Sequence, residues 1–87
     1  MDESERTTQH TTVTVLWRFT DPQGHSTVCR LIERRDLGIL RMRLDYDGCA
    51  IITETHRDLA ALERRSREYH DRALAEGWTE VLDGTSG

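Results

Sequence analysis

The chain has no lysine: all twelve of its cationic side chains are arginine. Two causes produce such a composition. Arginine codons replace lysine codons in a high-GC, bacterial-like genome, or planar bidentate donors are selected because they suit carboxylate and phosphate. Composition alone does not separate them. Cysteine is also scarce. Cys29 and Cys49 are the only two, too few for a disulfide framework. No apolar run approaches the ~20 residues that span a bilayer as a helix, and no secretory apolar segment precedes the patterned region. A cytoplasmic protein without membrane contact is therefore expected. The glycines stand singly at turns and caps, so no phosphate-cradling loop exists. C-x-x-C and H-x-x-x-H spacings are missing, and His10, His25, His56 and His70 are dispersed. Neither a metal nor a cofactor is expected. Carboxylates lack the enclosed pairing that acid–base catalysis needs, and the expectation is that this is not an enzyme.

With 87 residues there is room for one domain. Residues 1–11 and 83–87 are polar and read as disordered tails, leaving a single domain over 12–82. A core that small supplies only about 3–5 kcal/mol, so a partner subunit would add stability. The net charge of −4 argues against a purely electrostatic nucleic-acid binder.

What the sequence does contain is a change of period near Thr55–Leu59. Val13, Val15, Trp17 and Phe19 alternate, as do Leu40, Met42, Leu44 and Tyr46. Leu59, Leu62, Tyr69 and Ala73 then fall on one helical stripe. Period two marks a strand with one buried face and period 3.6 an amphipathic helix. The reading is an α+β fold, ββββα: a four-stranded antiparallel meander followed by one C-terminal helix packed on one face.

Turn chemistry sets the expected register. Asp21-Pro22-Gln23-Gly24 suits a type I turn with a left-handed glycine. It pairs Asp21 with His25, Phe19 with Thr27, Trp17 with Cys29 and Val15 with Leu31. A second turn is expected near Arg35–Gly38. Asp47-Gly48 suits a type I′ turn, pairing Tyr46 with Cys49, Leu44 with Ile51 and Met42 with Thr53. Thr55-His56-Arg57-Asp58 resembles a capping box for a helix running to about Glu76. Gly77 is placed for the left-handed C′ position, with Trp78 folding back on the last turn.

These registers put Val13, Val15, Trp17, Phe19, Cys29, Leu31, Leu40, Met42, Leu44, Tyr46 and Ile51 on the core face. Both cysteines read as small buried hydrophobes, too far apart to bridge across the intervening strand. The opposite face carries Leu16, Arg18, Val28, Arg30, Ile32, Arg34, Arg41, Arg43, Asp45, Ala50, Ile52 and Glu54, with Arg41 opposite Glu54. One helix covers only one side, and exposed apolar surface of this kind marks an interface. The candidate interaction face is Leu16, Arg18, Arg30, Ile32, Arg41, Arg43 and Ile52. Its first expected use is self-association, a homodimer face to face or edge to edge, with the aliphatics buried and the arginines at the rim. A different protein partner is the other form of that expectation. Alternatives are single-stranded nucleic-acid binding by the arginines, and a small-ligand pocket between helix and sheet lined by Met42, Tyr46 and Trp78.

Overall fold

In the computed structural model, which describes residues 11–82, the alternating segments form four successive antiparallel strands. They are β1 (Thr11–Thr20), β2 (Ser26–Arg34), β3 (Ile39–Tyr46) and β4 (Cys49–His56). Helix α1 (Leu59–Ala75) follows, then a two-residue strand β5 (Thr79–Glu80). The sheet order is β4-β3-β2-β1-β5, a meander with β5 returning beside β1. The α+β architecture is the one the periodicities imply. The readings of 1–10 and 83–87 as tails lie outside the described residues; Thr11 opens β1.

The turns act as their residues dictate. The Asp21 N–H donates to the His25 carbonyl at 2.9 Å, and Gly24 closes the loop at φ 89°. Asp47 and Gly48 both take positive φ, 53° and 88°, as a type I′ turn demands. At the end of α1, Trp78 N–H donates to the Ala73 carbonyl (3.1 Å) and Gly77 N–H to that of Leu74 (3.0 Å). That pair of bonds is a Schellman cap.

Two β-bulges alter the expected faces. In β1 the register shifts between Val15 and Trp17: Trp17 pairs with Cys29, but Val15 pairs with Arg30 and Thr14 with Leu31. Leu16 is the extra residue. In β4 Asp45 pairs with Ala50 but Leu44 pairs with Ile52, leaving Ile51 extra. One added residue moves the rest of a strand to the other face. Val13, Val15 and Ile51 are therefore not core residues; they are 56%, 40% and 57% exposed. Arg41 pairs with Thr55 rather than Glu54.

The core is Cys29, Leu31, Met42, Leu44 and Leu62, with Leu16, Trp17, Leu40, Ile52 and Tyr69 packed against it. Phe19 is also fully buried. The helix starts later than the capping-box reading places it. Asp58 is the N-cap, its Oδ1 accepting from the Ala61 N–H at 2.8 Å. Thr55 and His56 instead extend β4.

Candidate interaction site

The strand register builds the uncovered face row by row. Val13, Ile32, Arg41 and Thr55 form one row across the sheet, and Val15, Arg30, Arg43 and Thr53 the next. Arg18, Val28, Asp45 and Ala50 form a third. Of the residues expected here, Arg18, Arg30, Ile32, Arg41 and Arg43 share this face. Leu16 and Ile52 do not. Each sits at or just beyond a bulge and packs toward the helix-side core. Val13 and Val15 take their place, and the signal that could have found them is the adjacency of Val15 to Leu16.

Asp45 organises the centre of the face. It is 5% exposed, accepting from Arg30 Nη1 on β2 and from Arg43 Nε on its own strand at 2.7 Å. Arg30 and Arg43 are cross-strand neighbours, and like charges so placed repel; the carboxylate between them offsets that. Arg34 holds Asp36 through two bonds of 3.1 and 3.2 Å. Arg41 is exposed. Glu54, moved by the bulge, faces α1 and accepts from Arg65 (3.1 and 3.2 Å) and the Tyr69 hydroxyl (3.2 Å). The arginines consequently face one carboxylate fewer than the unbulged register gives.

The helix side carries the polar chemistry that sequence reasoning missed. Trp17 Nε1 donates to Ser66 Oγ at 2.9 Å. The thiol of Cys29 lies 3.9 Å from the same oxygen. Burial pushes that thiol up to about 11, despite the Ser66 contact, so it is no nucleophile at neutral pH. Both cysteines are free, and Cys49 is exposed at the β3–β4 turn rather than buried. His70 lies between Glu80 (3.1 Å) and Asp71 (3.3 Å), on a groove of about 410 Å³ between β1 and α1 lined by Leu16, Trp17, Glu63, Ser66 and Arg67. A smaller hole of about 80 Å³ under Trp78 is lined by Trp17, Thr27, Leu44 and Tyr69; Met42 and Tyr46 do not line it. Among the described residues, no group of three His, Cys, Asp or Glu side chains is placed to hold a metal. None of the described helices is long and apolar enough to cross a membrane.

Two carboxylates link the fold to pH. Burial pushes the Asp21 carboxyl up. The Tyr46 hydroxyl (2.7 Å) and the N–H groups of His25 and Gln23 (2.8 and 2.9 Å) outweigh this and hold its pKa below the ordinary value. At Glu54 burial likewise pushes the pKa up, and Arg65, His56 and Tyr69 outweigh it and hold the carboxyl below its ordinary value. A carboxylate whose pKa is depressed on folding stabilises the fold above its unfolded pKa, and that stability is lost as pH falls through the folded value. Melting temperature is expected to be flat from neutrality to about pH 5 and to fall below about pH 4. Glu54→Gln should flatten that acid limb while lowering the neutral plateau; thermal melts across this range check it.

Comparison of the chain with protein-family models, curated proteins and solved structures finds no match.

Proposed function

We propose that this protein is a small, non-enzymatic interaction module of the cytoplasm that docks a carboxylate-bearing protein partner on the open face of its sheet. The observation that carries this reading is the charge of that face. Among the described residues, Arg18, Arg30, Arg34, Arg41 and Arg43 share that face with the carboxylates of Asp45 and, in the turn beside it, Asp36, interleaved with Val13, Val15, Val28 and Ile32. The remaining seven arginines are outnumbered by fourteen acids, so the face is cationic on an acidic protein. Arginine among aliphatics is the composition of protein interfaces, and complementary charge steers and orients a partner. Two free cysteines suit a reducing compartment.

The other uses of this surface fit less well. Face-to-face self-association needs the arginines at the rim, but Arg30, Arg41 and Arg43 lie on the inner strands β2 and β3. Two such faces would oppose like charges. Single-stranded nucleic-acid binders stack bases on aromatic platforms, and Trp17, Phe19, Tyr69 and Trp78 belong to the helix side. The hole under Trp78, about 80 Å³, is well short of the ~300 Å³ of ordinary ligand pockets. The groove of about 410 Å³ between β1 and α1 reaches that size, but Glu63, Ser66, Arg67, His70 and Glu80 line it beside Leu16 and Trp17, where ordinary ligand pockets are mostly apolar.

Fluorescence anisotropy with a labelled oligoglutamate peptide, a labelled oligothymidylate and the purified protein tests the assignment. Binding of the peptide that weakens with salt, and by about tenfold in Arg41→Glu (one charge pair, on the order of 1.4 kcal/mol), is the expected result. Tighter binding of the oligonucleotide would return the nucleic-acid reading. No binding of either, with a dimer that Ile32→Asp dissolves, would return face-to-face self-association.

A further inference from the structure

The geometry points to a second surface, separate from the open face: the outer edge of β1 over Thr12–Leu16 pairs antiparallel with the same edge of a second copy. On its inner side β1 is bonded to β2 along its whole length. On its outer side, among the described residues, β5 pairs with Phe19 and Thr20, and the Val81 N–H donates to the Arg18 carbonyl at 2.9 Å. Among the described residues no strand lies beyond that point. An uncovered edge is a row of backbone donors and acceptors, and natural sheets guard such rows with charge, proline, bulges or a covering loop. Thr11-Thr12-Val13-Thr14-Val15-Leu16-Trp17 contains neither charge nor proline. It is mostly β-branched, the composition best suited to a strand, and Val13, Thr14 and Val15 are all exposed. Both edges carry a bulge, Leu16 in β1 and Ile51 in β4, but β4 adds Glu54 and His56, whereas the β1 segment adds no charge to its bulge.

A second copy is the occupant that this strand fits. An isologous antiparallel pair centred on Thr14 sets Val13 opposite Val15 of the other copy and Thr12 opposite Leu16. Val13 and Val15 share the open face, while Thr12, Thr14 and Leu16 lie on the helix side, so the pairs from Thr12 to Leu16 join like faces. The β-branched valines then meet as a cross-strand pair, and no charged group on the paired segment opposes another. The two-fold axis stands perpendicular to the sheet. It produces one continuous sheet with both helices on one side and both arginine faces on the other, side by side instead of opposed. Charge complementarity thus favours the edge over the face as the contact between copies.

Cysteine cross-linking reads the register directly. In a Cys49→Ser background, Thr14→Cys places two thiols at directly opposite positions. Cα atoms there are about 4.5–5.5 Å apart, within disulfide reach. Val13→Cys places them diagonally, at about 7–8 Å, beyond it. Rapid formation of a disulfide-linked dimer by Thr14→Cys, but by neither Val13→Cys nor the β4 control Thr53→Cys, is expected. Sedimentation should show concentration-dependent association that Thr14→Lys weakens at least about tenfold, with the dilute melting curve unchanged. A wild-type monomer at every concentration overturns the proposal. So does preferential linking through Thr53→Cys, or a dimer that forms only when residues 83–87 are removed, which would assign the edge to the chain's own end. The outcome is independent of the partner assignment: Arg41→Glu should leave the dimer intact, and Thr14→Lys should leave peptide binding per protomer intact.

Discussion

Leu62→Ala is expected to leave most of the protein unfolded at room temperature. Leu62 is 0% exposed and is the one large apolar side chain that α1 buries completely; the other buried helix positions are Ser66 and Ala73. It packs with Cys29, Leu31, Met42 and Leu44 of the inner strands. Truncating a fully buried leucine costs about 2–5 kcal/mol, from lost transfer free energy plus the cavity left behind. A domain of this size has only about 3–5 kcal/mol to lose. Urea titration followed by far-ultraviolet circular dichroism measures the difference. A loss below about 1 kcal/mol would mean that α1 is anchored chiefly by polar contacts, Trp17 to Ser66 and Arg65 to Glu54, rather than by its apolar stripe. Ser66→Ala serves as the comparison, because it removes the Trp17 partner without opening a large cavity.

The alternating strands show what was legible in the sequence and what was not. Phe19, Met42 and Leu44 each stand between polar neighbours, so only one facing buries them. Asp47-Gly48 and Gly77-Trp78 are turn and cap chemistries with few other uses. The bulges fall where this logic fails. Val15-Leu16 and Ile51-Ile52 are adjacent aliphatic pairs, and either member satisfies a buried position, so the hydrophobic pattern does not specify register there. A bulge adds one residue without a compositional mark. Helix partners break the tie at β4: the bulged register carries Glu54 to Arg65 and Tyr69 and Ile52 to the core. That information lies in a segment distant in sequence. The N-cap moved for the same reason. Once β4 runs on through Thr55 and His56, Asp58 is the next residue able to accept from a free helix N–H. For the interaction face, the consequence is that the arginines were readable and two of the aliphatics were not.

Asp45→Ala should lower stability and raise partner affinity together, a combination that ordinary core damage does not give. Arg30 and Arg43 are opposite one another across β2 and β3, and Asp45 bonds both. Removing one member of a buried ion pair costs about 3–5 kcal/mol. Here the carboxylate is buried but the guanidiniums are about a third exposed, 32% and 40%, so water and salt screen part of the repulsion and about 2 kcal/mol is the expected loss. That loss should shrink with added salt, since screening relieves the uncovered Arg30–Arg43 contact. It should also be partly restored by Arg43→Thr in the same chain, which removes the repulsion. Freed of their internal carboxylate, Arg30 and Arg43 are then available to an external one. Oligoglutamate binding, measured where the variant remains folded, should tighten by several-fold. If affinity falls instead, Asp45 is holding the two guanidiniums in the geometry a partner needs, and the open face binds by shape fixed in advance more than by uncompensated charge.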